Sequence, residues 1–474
     1  MNLNFINLCM RYTLNGEYML MDIPKLESFI FEKMSKTKLP GLSIAIVKND
    51  EVIYSRGFGF RDIENGLHAT PNTVYGIGSV TKSFTCLAMM QLVEKGLLSP
   101  EDPIYKYVDI DINPFDEEIK VWHLMTHSSG IPALAYAEAL IRSIVGDDAT
   151  WVPMASPEDI ISFVKGAGDW VESRPGERFF YLNEGYVILG RIVEKVSGRR
   201  YVDYVKENIL VPLEMRRSYF LKEELDKDPE VAKPYVITKD SKIVESTYPY
   251  GITADGGLFS NVLDLTHYIL MYLNRGRYED KEILSKESIE EMEKGRIDVP
   301  FRFLGGEKYG YGWLIVPNFL GYKLICHSGS ILVSTAYVGY IPEARIGVAL
   351  LSNGSGYPLS YIGMYALALG LGKDPEKELP FIRNDRILDK LAGAYETYRG
   401  TVKAKVVRRG DMLYIEMGGK YTATSVPLVP KELSEDVAHF MVPRLTGPLE
   451  VEFRVKDHEI ILIYERYKFK KVSA

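Results

Sequence analysis

The stretch YGIGSVTKSFT, residues 75–85, places Ser79 directly behind Gly76-Ile77-Gly78 and three residues before Lys82. In a helix, positions i and i+3 share one face a turn apart, so this hydroxyl and this amine can meet. A serine hydroxyl is a poor nucleophile until a base takes its proton. A lysine serves as that base when burial and the positive end of a helix hold its pKa down. The same helix end turns the Ser79 N–H outward, where it can receive an oxyanion. Gly76 and Gly78 let the chain turn into the helix without side chains shielding the serine. S-x-x-K also occurs at Ser35-Lys38 and Ser162-Lys165. Those two read as surface pairs, because only Ser79 has the glycines before it and the apolar run FTCLAMMQLVEKG after it.

Two further groups suit the same chemistry. In ERFFYLNEGY, Tyr181-Leu182-Asn183 precedes a helix pattern. A tyrosine oxygen can pass a proton between serine and leaving group, and an asparagine amide can hold both a lysine and a substrate carbonyl. The second Y-L-N, Tyr272-Leu273-Asn274, lies inside a helix pattern and reads as core. In YKLICHSGSILVSTAYVGY, His327-Ser328-Gly329 falls on a strand pattern. Gly329 would admit close approach, Ser330 would supply a second oxyanion N–H, and the strand would pair with an extended substrate. His123 and His127 are four apart like metal ligands but lack a third partner nearby, so structural hydrogen bonds are the expectation. Cys326 points away from its neighbour His327 and reads as core. Glu184 and Asp255 fit helix caps or loop ion pairs as well as the cleft. G-x-S-x-G does not occur, which disfavours a nucleophile-elbow hydrolase.

These groups need a frame. Pro24 opens a helix with Leu26, Phe29, Ile30 and Met34 on one face. GLSIAIVKNDEVIYSRGFGF gives a hairpin around Asn49-Asp50. Helical patterns and loops fill about 100–290. Strands return as YGYGWLIV, YKLICHSGS, STAYVGYI and IGVALLSN, followed by an apolar helix over about Leu359 to Leu371. Short turns between neighbours imply antiparallel pairing. The expected architecture is α/β in the α+β sense: an antiparallel sheet flanked by helices, with an inserted helical subdomain and a ligand cleft between them. The charged, proline-bearing stretch 373–386 reads as a linker. Residues 387–474 carry about eight short strand patterns, as in a closed antiparallel barrel. The domain reading is thus 1–20 unstructured or a miscalled start, 21–372 catalytic, 373–386 linker and 387–474 barrel.

Composition narrows the function classes. The chain has 474 residues, net charge −7 and no basic block interleaved with aromatics, so nucleic acid is not an expected partner. No apolar run reaches the ~18 residues of a membrane span. The first twenty residues lack the charge and cleavage site of a signal peptide, and Met19 or Met21 is as good a start as Met1. Three cysteines without framework or ligand spacing fit a reducing cytoplasm. A single glutamine, Gln91, among many charged residues resembles a hyperthermophile composition.

The order S-x-x-K, then Y-x-N about a hundred residues on, then H-x-G on a late strand resembles the serine β-lactamase and penicillin-binding-protein family. The nearest branch holds class C β-lactamases, D-alanyl-D-alanine carboxypeptidases, D-aminopeptidases and related esterases. GLLSPEDPIYKYV, VWHLMTHSSGIP, GGLFSNVLDLTHYI and YGYGWLI agree with it, and the likeness spans roughly Leu26 to Leu371. With its barrel-like tail the chain is most similar to archaeal self-compartmentalising serine peptidases that carry a C-terminal lipocalin-like domain. The resemblance implies Ser79 as acylated nucleophile, Lys82 and Tyr181 as base and acid, and Asn183 as positioning group. It implies an oxyanion hole from the Ser79 and Ser330 N–H groups beside Gly329, and no metal or cofactor. His327 stands where β-lactamases usually carry lysine; a histidine there is a weaker, pH-dependent cation. The implied activity is a serine peptidase acting on short peptides, D-residues among them. A carboxylesterase with the same machinery and a β-lactamase-like or non-catalytic peptide- or penicillin-binding protein are the rivals. The tail would build a homo-oligomer, control access to the cleft, or bind an apolar ligand.

Overall fold

The computed structural model describes residues 21–147, 156–251, 253–418, 421–457 and 459–473, together with the short paired segments Thr13–Leu14 and Glu17–Tyr18. The expectation for the first twenty residues otherwise lies outside the described part. The chain forms two compact units, residues 1–373 and 374–474.

The first unit is built on an antiparallel sheet of nine strands. Its order is Ile297–Asp298, Lys308–Tyr309, Leu314–Phe319, Tyr322–Ser330, Thr335–Ile341, Ile346–Ser352, Gly41–Lys48, Glu51–Asp62 and Leu67–His68. The N-terminal hairpin therefore joins the strands that arrive almost three hundred residues later, through the register Ala349↔Ala45. Ile346–Ser352 is buried along its whole length, because helices cover both faces. At Gly347 a Cβ would meet Ile269 of the helix Val262–Leu273. On the opposite face, Ile346 fills the space beside Gly370 of the helix Leu359–Gly370. The first helix, Ile23–Thr37, starts where the Asp22 carboxylate accepts the Lys25 N–H at 3.0 Å, with Pro24 in its first turn. It buries Leu26, Phe29, Ile30 and Met34, the face read from the sequence. Phe29 stacks on Tyr365 of the last helix at 4.0 Å between ring centroids.

The helical middle contributes Tyr136–Val145 and Asn183–Ser197, the latter closed by Gly198 in the left-handed conformation. The helix Thr81–Glu94 is buried from Thr81 to Leu92, which explains its apolar run. It begins after a short 3₁₀ turn, Gly78–Val80, rather than at Ser79 itself.

In the second unit, eight strands from Gly393–Glu396 to Tyr467–Ser473 close into an antiparallel barrel. Alternate residues point inward, as in Val437–Val442, where Ala438, Phe440 and Val442 are buried. The stretch read as a linker contains helices, Pro375–Glu378 and Pro380–Leu391. Its prolines sit in first turns, where a missing N–H costs nothing, so they start helices here instead of marking a loop. Ile387, Leu388 and Leu391 join the barrel core. Arg408 pins this helix by donating to Asp385 at 2.6 Å and Asp389 at 2.7 Å. Side chains such as Phe440, Phe453, Leu462 and Phe469 fill the interior.

Candidate active site

Ser79 sits where three elements converge. Tyr75–Gly76 pairs with Phe259–Ser260, and the Ser334 hydroxyl donates to Gly76 O at 2.7 Å, which fixes the approach to the turn. Gly78 has φ +51°, and a Cβ there would stand 2.7 Å from Ser330 N. A Cβ on Gly329 would stand 1.9 Å from Ile77 O and 3.0 Å from Ser79 N. Both glycines are therefore required for the strand Tyr322–Ser330 to lie against the serine turn.

Lys82 is fully buried and is held by three contacts. Its Nζ lies 3.1 Å from Ser79 Oγ, 2.7 Å from Asn183 Oδ1 and 2.6 Å from the backbone oxygen of Asp255. Two of these partners are pure acceptors and take two N–H groups. The remaining position faces Ser79, where an amine lone pair can receive the hydroxyl proton. Burying the amine without partners would be costly, and these acceptors offset that cost. Tyr181 stands over it, with Nζ 4.8 Å from the ring centroid.

Several groups hold these in place. His127 Nδ1 accepts the Leu182 N–H at 2.9 Å, and its ring stacks on Tyr181 at 4.1 Å. Burial, with Lys82 and His327 nearby, keeps His127 neutral, well below the usual histidine range. The Asp255 carboxylate accepts from Tyr136 Oη at 2.7 Å, and burial raises its pKa. Glu184 accepts the Tyr136 N–H at 3.1 Å and is pushed up to about 7 by burial.

His327 corrects one expectation. Its Nδ1 lies 2.6 Å from Ser328 O, a pure acceptor, so Nδ1 carries the proton. Nε2 then accepts from Tyr309 Oη at 2.8 Å. Burial, with Lys82 adding repulsion, lowers its pKa to about 3. The imidazole is neutral near pH 7, not a pH-dependent cation.

The strand carrying it has an open edge. Its pairing with Leu314–Phe319 begins at Leu314↔Cys326, whereas pairing with Thr335–Ile341 continues to Ser330↔Thr335. Ser328 to Ser330 therefore have a strand neighbour on one side only among the described residues. A cavity of about 500 Å³ opens there, lined by Ser79, Tyr181, Asn183, His327, Gly329 and Ser330 among others. All the residues singled out from sequence thus meet in one place, with Lys82 beneath.

The look-alike motifs do not. Lys165 pairs with Asp109 at the surface, Lys38 ends a helix in the left-handed conformation, and Tyr272 is core beside Tyr268. His123 Nδ1 accepts the Lys120 N–H at 2.9 Å, a structural bond. Cys326 is buried on the far side of its strand. Among the described residues no cluster of His, Cys, Asp or Glu is arranged to hold a metal, and no helix is long and apolar enough to cross a membrane. Sequence reasoning missed Tyr309, the Asp255 carbonyl and Glu138, whose carboxylate accepts from Asn183 Nδ2 at 3.3 Å.

Residues 26–371 match the Beta-lactamase family, and residues 375–470 match the Pab87 octamerisation domain. The chain belongs to the Beta-lactamase family. The octameric penicillin-binding protein homologue from Pyrococcus abyssi is 53% identical, with a TM-score of 0.92 over 95% of this chain and all of that one. The β-lactamase-type unit and the closed C-terminal barrel expected from the sequence are both present. Penicillin-binding protein 4* of Bacillus subtilis is 25% identical over 82% of this chain and 87% of its own length. Protein flp of Staphylococcus aureus (strain MW2) is 27% identical over 69% of this chain. That match spans 62% of the length of flp.

Proposed function

We propose that the chain is a serine hydrolase of the penicillin-binding-protein and β-lactamase type that cleaves short peptides through an acyl-enzyme on Ser79. The observation that carries this reading is the buried Lys82 amine, set between Ser79 Oγ and Asn183 Oδ1 on the floor of a cavity with an open strand edge. A peptide lies along Ser328–Ser330 as an added strand, its scissile carbonyl over Ser79. Lys82 Nζ takes the Ser79 proton as Oγ bonds the carbonyl carbon. The developing oxyanion lies between the Ser79 and Ser330 N–H groups, which the two glycines bring together. The carbon–nitrogen bond then breaks, and the proton passes from Lys82 through the Tyr181 hydroxyl to the leaving amine. Water repeats the sequence in reverse roles and frees Ser79. Asn183 orients the lysine and the substrate amide.

Neutral His327 supplies geometry, holding Tyr309 and the Ser328 carbonyl. It offers no cation for a β-lactam carboxylate, which argues for peptides over β-lactams. Residues 375–470 match an octamerisation domain, and the Pyrococcus abyssi relative is described as octameric, so we assign the second unit to self-assembly. The sparse, buried thiols Cys86 and Cys326 fit a cytoplasmic home.

The test is hydrolysis of matched L- and D-peptides, esters and a cephalosporin by the protein and by Ser79→Ala. Peptide cleavage lost in the variant is expected. Ester cleavage alone would make the chain an esterase, and acylation without turnover would make it a binder. Peptide cleavage surviving in Ser79→Ala would overturn the assignment.

A further inference from the structure

The charge in the cavity is one-sided. Among its described lining residues there is no lysine or arginine, and His327 has both ring nitrogens engaged in neutral hydrogen bonds. The Lys82 amine lies below the floor, its contacts directed to Ser79, Asn183 and Asp255. Two lining residues carry carboxylates. That of Asp255 is occupied by Tyr136. That of Glu138 is exposed in the first turn of Tyr136–Val145, and one oxygen receives the Asn183 amide at 3.3 Å. No lysine or arginine pairs with Glu138 among the described residues. Part of the lining is aromatic: Phe179 and Phe301 stand 6.3 Å apart, and Phe301 and Phe303 5.9 Å.

We infer that Glu138 is a specificity-determining residue that receives a substrate ammonium, so that the cleft selects cationic, apolar peptide ends and rejects anionic ones. This rests on the serine-hydrolase reading and adds the substrate class. An ammonium at Glu138 gains a charge-assisted hydrogen bond on the solvent-exposed side of a cavity whose other lining is mostly apolar. The aromatic residues take the adjoining apolar side chain. Because Asn183 links Glu138 to Lys82, the ammonium lies on the Asn183 side of Ser79. A substrate carboxylate in the same place would face Glu138 without a counter-charge.

The experiment compares kcat/KM for peptide amides differing only in a free or acetylated N-terminus. A second pair of N-acetylated peptides carries lysine or norleucine as the first residue. Each is run with the full-length protein and with Glu138→Gln, which keeps the acceptor for Asn183 but removes the charge. The expected result is a preference for the cationic member of one pair. Its ratio should fall about two- to five-fold in Glu138→Gln, as for loss of a solvent-exposed ion pair. Preference in the first pair assigns an α-ammonium, and preference in the second assigns a lysyl side chain. Equal rates within both pairs, or a ratio untouched by Glu138→Gln, would overturn the inference while leaving Ser79 chemistry intact. Cleavage persisting in Ser79→Ala would instead overturn the reading beneath it.

Discussion

The floor of the cleft and the interior of the barrel are both buried, and they are built in opposite ways. Under the cleft lie Lys82, His127, His327, Glu184 and Asp255, all less than 10% exposed. In residues 374–474 no charged side chain is buried among those described, and a buried hydroxyl such as that of Tyr395 donates to Leu391 O at 2.6 Å. The barrel keeps its charges outside, in pairs such as Lys431–Glu450. A buried polar group is destabilising unless its partners are in place, so a core without a task excludes such groups. The first unit accepts them where partners are supplied, at the cleft floor and also at Glu293, which pairs with Arg275, and Glu307, which accepts the Leu304 N–H. At the cleft floor the partners come from distant segments, the Lys82 contacts spanning Ser79 to Asp255.

Replacing Lys82 with methionine attacks the polar floor directly. It leaves Asn183 Oδ1 and Asp255 O without their donor and Ser79 without its base. Peptide turnover should fall about 10²- to 10⁴-fold, with each stranded acceptor costing about 1–3 kcal/mol of stability. Stopped-flow acylation and thermal melting would measure both, and unchanged acylation would break the comparison. Phe453→Ala attacks the apolar interior instead. It should cost about 3–5 kcal/mol in the barrel, seen by denaturant unfolding. Acylation of Ser79 by a small ester should persist, since the described lining of the cavity runs from Gly78 to Ile331, within the first unit.

The pH dependence separates the two regions further. His327 has a folded pKa of about 3, below its unfolded value near 6.5. The unfolded chain therefore takes up the proton first as pH falls. The stability from neutral His327 is complete above pH ~6.5 and is lost as pH falls toward ~3. His327→Gln should flatten this acid limb, read from melting temperature between pH 3 and 7. Glu184 works in the opposite sense, losing stability as pH rises through about 7, but it is present in both proteins. Identical pH slopes would mean that the imidazole is not held neutral. The smallest effect is expected at the barrel surface: Lys431→Ala should leave the melting temperature unchanged within error, because solvent screens that pair.

Much of the candidate site was legible in sequence as a set of residues that the fold brings together. Ser79, Lys82, Tyr181, Asn183 and His327 announced themselves by residue type, spacing and order, and the look-alikes lacked the glycines or fell inside helix patterns. The strand patterns across the barrel were legible because alternate burial leaves a period of two, and those around His327 because short β-rich runs are bounded by turn residues. What stayed hidden is tertiary. A backbone carbonyl such as that of Asp255 has no sequence signature. Tyr309 is one tyrosine among 32 until it meets His327. The charge state of His327 depends on burial by segments far apart in sequence. The helices at 375–391 were hidden because prolines that break a helix interior also start one.

The central claim is an acyl-enzyme on Ser79, and trapping it is the most direct test. The full-length protein would be quenched during turnover of a slowly deacylating activated ester, digested, and the added mass located by fragmentation. The account predicts one acyl adduct on Ser79, absent from Ser79→Ala and slow to form in Lys82→Met. An adduct on another residue, or full turnover by Ser79→Ala, would contradict it.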